Sequence, residues 1–213
     1  MKYQACICDL DGVICHTDEY HFLAWKRLSD TLGLEFNRDL NNRLRGVSRR
    51  ESLDIILKYN KKKLSEDDIA LAMEQKNLWY REYLEQMTPR NLEPDVRPVL
   101  ERLRNLGVKL AIGSSSRNAL LILERLDIRG LFDACVDGTM ISHSKPDPEV
   151  FLTAAALVGE TPQKCVVVED ALSGFLAARA AGMDCIAYRL HSTEVDIGSM
   201  HADNFSMVLS YIE

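Results

Sequence analysis

The chain opens on an apolar run, Tyr3 to Cys8, that ends in two carboxylates two residues apart, Asp9 and Asp11, with Leu10 between them and Gly12 after them. A run of that length reads as a buried strand. If strand geometry persists to its end, residues i and i+2 project to the same side. Like charges that close need a shared proton, a cation or bulk water. Strand ends are also where α/β proteins bind their ligands. One carboxylate as nucleophile, the other as acid/base and a divalent metal between them would make a phosphoryl-transfer centre.

The rest of the chain divides in two. From about residue 90 onward, strand-like and helix-like segments alternate. Helices are predicted at 95–106, 117–127, 148–158 and 171–181, with Gly107 and Gly182 as stops. Strands are predicted at 108–112, 132–136, 165–168, 184–187 and 205–208. Repeated βα units imply a Rossmann-like parallel sheet covered by helices. Residues 16–88 instead show helical spacing and almost no strand signal, with helices predicted at 18–33, 37–45, 49–59 and 66–87. The pattern predicts an α/β core, 1–15 and 92–213, carrying an inserted α-helical cap, 16–91.

With 213 residues the chain can bury a sizeable core. A net charge of -6 gives no general attraction to nucleic acid or to an acidic membrane, so neither is an expected partner. A phosphorylated substrate would have to be met by locally placed cations. No apolar run approaches the roughly 20 residues of a membrane span. The start, Met1-Lys2-Tyr3-Gln4, lacks the build of a signal peptide, and a cytoplasmic protein is the expectation. Five of the six cysteines, Cys6, Cys8, Cys135, Cys165 and Cys185, lie in or beside strand-like runs. They read as small core residues rather than as disulfide or zinc partners.

Three further groups fall at predicted strand ends. Gly113-Ser114-Ser115-Ser116-Arg117-Asn118 precedes a helix. Small residues there let backbone amides approach a phosphate, and hydroxyls add donors; Ser and Asn are also ordinary helix caps. Lys145, in Ser144-Lys145-Pro146, is placed to pair with a phosphate or a carboxylate. Glu169-Asp170 follows Cys165-Val166-Val167-Val168 and suits an oxygen-rich Mg2+ site, although Asp170 could equally cap the next helix.

In this order, Asp9-Leu10-Asp11-Gly12, Ser114, Lys145-Pro146 and Glu169-Asp170 resemble the four motifs of the haloacid dehalogenase superfamily, and a helical cap after the first motif fits that family over the whole chain. The resemblance implies Asp9 as the nucleophile that becomes an aspartyl phosphate and Asp11 as general acid/base. It implies a Mg2+ site from Asp9, Asp11, Glu169 and Asp170, with Ser114 and Lys145 on the transferring phosphoryl group. Cys8 departs from the pattern, which usually has Phe there.

The cap narrows the resemblance. Thr17, Glu19-Tyr20-His21-Phe22, Ala24-Trp25, Leu44-Arg45-Gly46-Val47-Ser48-Arg49, Glu51-Ser52-Leu53 and Lys76-Asn77 are similar to the β-phosphoglucomutase family. That family converts β-glucose 1-phosphate to glucose 6-phosphate through β-glucose 1,6-bisphosphate, which also serves as activator. The resemblance implies catalytic roles for Thr17, at the hinge near Asp11, and for His21, which would orient or help deliver the Asp11 proton when the cap closes. It implies that Gly46, Val47 and Lys76 line the sugar site, and that Arg49, Ser52, Ser115, Ser116 and Asn118 belong to the substrate site, the distal phosphate included. The plainer alternatives are a satisfied helix histidine for His21, a solvated lysine for Lys76, a surface cation for Arg49 and an ordinary interhelical turn for Gly46-Val47-Ser48. The expected partner is one small phosphorylated sugar, and the expected state a monomer. A sugar-phosphate phosphatase with the same core is the alternative, followed by a non-catalytic phosphosugar-binding module, which would be expected to lack Asp9 or Asp11.

Overall fold

The computed structural model describes residues 2–44, 47–190 and 200–213. The chain forms two compact units, Met1–His16 with Thr88–Glu213, and Thr17–Met87.

The first unit is built on a six-stranded sheet in which every pairing is parallel: β1 (Ala5–Cys8), β2 (Lys109–Gly113), β3 (Ala134–Val136), β4 (Cys165–Glu169), β5 (Asp184–Tyr188) and β6 (Met200–Ala202). Their order is β3-β2-β1-β4-β5-β6. β1 and β4 are buried throughout, as expected of strands covered on both faces. The order runs outward from β1 in one direction and from β4 in the other, so the switch point lies between these two strands. Register aligns their carboxyl ends: Cys8 pairs with Ile112 on β2 and with Val168 on β4. The residues just beyond these three strand ends are therefore brought together.

Helices in this unit are Val96–Asn105, Ala119–Arg125, Glu149–Val158, Leu172–Ala180 and Met207–Ile212. Ile7, Ala111, Val136, Phe151, Val167 and Ala177 belong to one buried cluster. The six cysteines are free thiols. One expectation fails here. Residues 205–208 are not a strand: the sixth strand is Met200–Ala202, and Met207–Ile212 is helical. Phe205, Val208 and Ile212 are buried, and their spacing of three and four is a helix period that the shorter window concealed.

The second unit is helical: α1 (Asp18–Thr31), α2 (Arg38–Asn42), α3 (Arg49–Tyr59) and α4 (Glu66–Leu84). Each of the last three starts has a local cause. Asn37 accepts from Leu40 N–H, Ser65 accepts from Asp68 N–H, and Ser48 and Glu51 form a reciprocal capping box. Acidic residues fill the first turns of α1 and α4, where they complement the helix dipole. Trp25, Leu28, Phe36, Leu53, Ile56 and Ile69 belong to its buried core. No helix among the described residues is long and apolar enough to cross a membrane.

Candidate active site

Asp9 follows β1 at the switch point, and its N–H donates to Val168 O on β4 (2.9 Å). Its side chain is buried and pairs with the Lys145 ammonium. The same ammonium donates to Glu169 Oε1 at 2.5 Å and lies 4.8 Å from the centre of the Phe151 ring. The second oxygen of Glu169 accepts from Ala171 N–H (2.8 Å). Both oxygens of Glu169 are thus engaged by protein donors, and Lys145 is clamped between two acids from adjacent strands.

Two glycines make room for these acids. Gly12 has φ +91, and a Cβ there would collide with the Asp170 carboxylate. A Cβ at Gly174, in the first turn of Leu172–Ala180, would overlap the Glu169 carboxylate. Gly174 was not anticipated from the sequence. A glycine inside an Ala-rich helix, where it costs about 1 kcal/mol relative to Ala, is the signal that marked it. Asp170 does not cap that helix: the cap position is Ala171, and no side chain caps it.

Burial pushes the Asp9 carboxyl well above the usual carboxylate range. Lys145 opposes the shift, while Glu169, Asp170 and Asp11 add to it. Asp170 is pushed up to about 7 by burial first and Glu169 next, with Asp11 adding to the shift and Lys145 opposing it. Burial disfavours the charge on Lys145, but Asp9 and Glu169 more than offset it and leave its pKa raised. Asp9, Asp11, Glu169 and Asp170 feel one another's charge around Lys145, and the donors they offer are all oxygen. That donor chemistry fits a hard divalent cation such as Mg2+.

After β2, Ser114 N–H donates to Val136 O (3.0 Å), which extends the ladder to β3. Ser114 Oγ then accepts from Ser116 N–H (3.1 Å), and Ser116 Oγ from Asn118 N–H (3.3 Å). The hydroxyls thus shape the loop, and Asn118, at the cap position, makes no side-chain cap bond. Ser115 Oγ is buried and makes no hydrogen bond. Asp137, buried at the end of β3, accepts from Thr139 N–H at 2.8 Å and Thr139 Oγ1 at 2.5 Å. Nothing in its sequence context singled it out.

In the helical unit, Thr17 is buried at the cap position of α1. Lys76 is not the solvated lysine its charged helix suggested: it is 2% exposed. Its place on α4 explains this, since Ile69, Ala72, Lys76, Tyr80 and Leu84 form the buried stripe. Lys76 Nζ lies 3.0 Å from His21 Nδ1. Arg49 Nη2 donates to Asn77 Oδ1 (2.9 Å). Ser52 is buried and gives its hydroxyl proton to Ser48 O (2.9 Å) within α3, and Val47 is exposed. Gly46 lies outside the described residues.

A family model described as haloacid dehalogenase-like hydrolase matches residues 3–182. The beta-phosphoglucomutase of Bacillus subtilis (strain 168) is 44% identical over 84% of this chain and 80% of that protein. The "phosphorylated carbohydrates phosphatase" of Thermotoga maritima is 35% identical over 89% of this chain and 86% of its own. Among solved structures, the beta-phosphoglucomutase of Clostridium difficile superposes with a TM-score of 0.90 at 32% identity, covering 99% of this chain and 95% of that one.

Proposed function

Because the chain belongs to the haloacid dehalogenase-like hydrolases, we propose that it interconverts β-glucose 1-phosphate and glucose 6-phosphate, the β-phosphoglucomutase reaction. Support comes above all from the helical unit, where a buried Lys76 meets His21 and Arg49 adds its charge. Hydrolysis needs only water as acceptor. A mutase must also hold a sugar hydroxyl in line and neutralise a second, non-transferring phosphate, and a guanidinium suits that phosphate.

In this reading phospho-Asp9 gives its phosphoryl group to the 6-hydroxyl of β-glucose 1-phosphate, and Asp11 takes the hydroxyl proton. The resulting 1,6-bisphosphate turns round. An Asp9 oxygen then attacks the C1 phosphorus, the P–O bond to C1 breaks, and Asp11 returns its proton to the departing oxygen. Glucose 6-phosphate leaves and phospho-Asp9 is regenerated. Lys145 and Ser114 hold the transferring group, with Ser115, Ser116 and Asn118 on the same loop, while Glu169 orients Lys145. Mg2+, held by Asp9, Asp11 and Asp170, would neutralise the charge on the transferring oxygens. Positioning and charge stabilisation are most of what phosphoryl transfer requires.

Phosphorus-31 NMR of β-glucose 1-phosphate with Mg2+ and a trace of β-glucose 1,6-bisphosphate tests this. Glucose 6-phosphate with little inorganic phosphate is the expected result. Predominant inorganic phosphate would instead make the protein a sugar-phosphate phosphatase, the reading that the Thermotoga maritima relative favours. A non-catalytic binding module is disfavoured by the presence of both Asp9 and Asp11.

A further inference from the structure

His21 and Trp25 are four apart on α1, and Lys76 and Tyr80 are four apart on α4. Residues at that spacing share a helix face, and α1 and α4 pack on each other. The His21 ring lies over the Tyr80 ring, centroids 4.1 Å apart and planes at 31°. Lys76 Nζ sits 4.5 Å from the Tyr80 ring centre, 4.8 Å from that of Trp25 and 3.0 Å from His21 Nδ1.

The contact between Lys76 and His21 can run in two directions. An ammonium has only donors, so a charged Lys76 must donate to a bare Nδ1. A neutral amine keeps N–H donors but also has a lone pair, so it is free to accept from a protonated Nδ1 as well. Ring faces discriminate between the two, because the aromatic quadrupole attracts a cation far more than an amine. Such a contact strengthens when desolvated, and two rings flank this nitrogen.

We infer that Trp25 and Tyr80 are positioning residues: their faces hold Lys76 as an ammonium that donates to His21 Nδ1, so that His21 is the neutral tautomer with its proton on Nε2. Burial first, then the charges of Lys76 and Arg49, keep His21 well below its ordinary pKa, in keeping with a neutral ring. The inference deepens the proposed phosphoryl-transfer function, because it makes His21 a fixed donor at Nε2 rather than a group that exchanges its proton. The tautomer itself does not depend on which phosphate ester is turned over.

The test is the two-bond proton–nitrogen correlation of the histidine rings in the full-length, nitrogen-15-labelled protein at neutral pH, with His21 assigned by His21→Gln. A bare Nδ1 and a protonated Nε2 are expected; a protonated Nδ1 or an imidazolium would overturn the inference. Tyr80→Phe keeps the ring face and should keep both the tautomer and kcat within about twofold. Tyr80→Leu and Trp25→Leu should each give mixed tautomers and lower kcat about tenfold with little change in KM. If folded Leu variants retain the pure Nε2–H tautomer, the rings do not set it and the inference fails. Should neither fold, Tyr80→Met and Trp25→Met, which fill the space without a ring face, are read in the same way: a pure Nε2–H tautomer in them overturns the inference. Since the spectrum is read without substrate, a phosphatase outcome in the NMR assay of turnover would leave this result standing.

Discussion

In the sheet unit one buried ammonium, Lys145, stands among carboxylates; in the helical unit another, Lys76, stands against an imidazole and two aromatic faces. Both lysines are taken out of water, which is costly for a charge. The first recovers that cost by Coulomb attraction, and the acids around it still outnumber it. The second has two ring faces and an imidazole nitrogen among its contacts, and it adds to the positive charge of Arg49 around His21. The same residue type therefore leaves one site in need of a cation and helps fit the other for an anion. For a phosphoryl-transfer enzyme these are complementary needs, one for the metal and one for the phosphate it must grip.

Asp9→Asn should have the largest effect. The amide cannot form the aspartyl phosphate, so kcat should fall by about 10⁴-fold or more with the circular dichroism spectrum retained. Turnover near wild type would end the covalent mechanism and the comparison with it. Lys145→Met comes next. It strips the cation from two buried acids and should lower stability by about 3–5 kcal/mol in urea unfolding. A cost below about 1 kcal/mol would mean that the acids are compensated by something other than Lys145.

Arg49→Ala tests the other region. Mutase turnover should drop about tenfold to a hundredfold, roughly 1.4–2.7 kcal/mol of transition-state stabilisation, while hydrolysis of a small phosphate ester should fall much less. Equal losses would remove the distal-phosphate role. Gly174→Ala should cost about 1–2 kcal/mol in thermal or urea unfolding, because the steric clash with Glu169 outweighs the better helix propensity of alanine. A stabilised variant would show that the acid side chain moves aside freely.

The smallest effect is the pH dependence due to His21, whose folded pKa is depressed by burial and by the charges of Lys76 and Arg49. As pH falls below about 6.5, the unfolded chain takes up a proton at this residue that the folded protein refuses. Stability is therefore lost between about 6.5 and the depressed folded value, by at most about 1.4 kcal/mol per pH unit. His21→Gln should flatten that part of the slope when urea midpoints at about pH 7 and pH 5.5 are compared. An unchanged slope would mean that His21 is not held neutral.

Much of the sheet unit is legible in the chain. Short apolar runs closing on Asp9, Ser114 and Glu169 mark strands and their functional ends, because a parallel strand buried on both faces must be apolar and the polar residue after it lies at the rim. The order of those motifs carried the family. What the chain does not display is adjacency: that β4 lies beside β1, so that Lys145 bridges Asp9 and Glu169, comes from strand order. Nor does it display the space Gly174 leaves for an acid. Lys76 shows the limit most clearly. Its charge reads as solvent-facing in one dimension, and only the packing of α4 against α1 puts it on the buried stripe between Trp25 and Tyr80. Local sequence determines periodicity and the chemistry at element ends, since these depend on near neighbours. Which charges meet, and which are buried, depends on contacts between residues far apart in the chain, and only tertiary packing decides those.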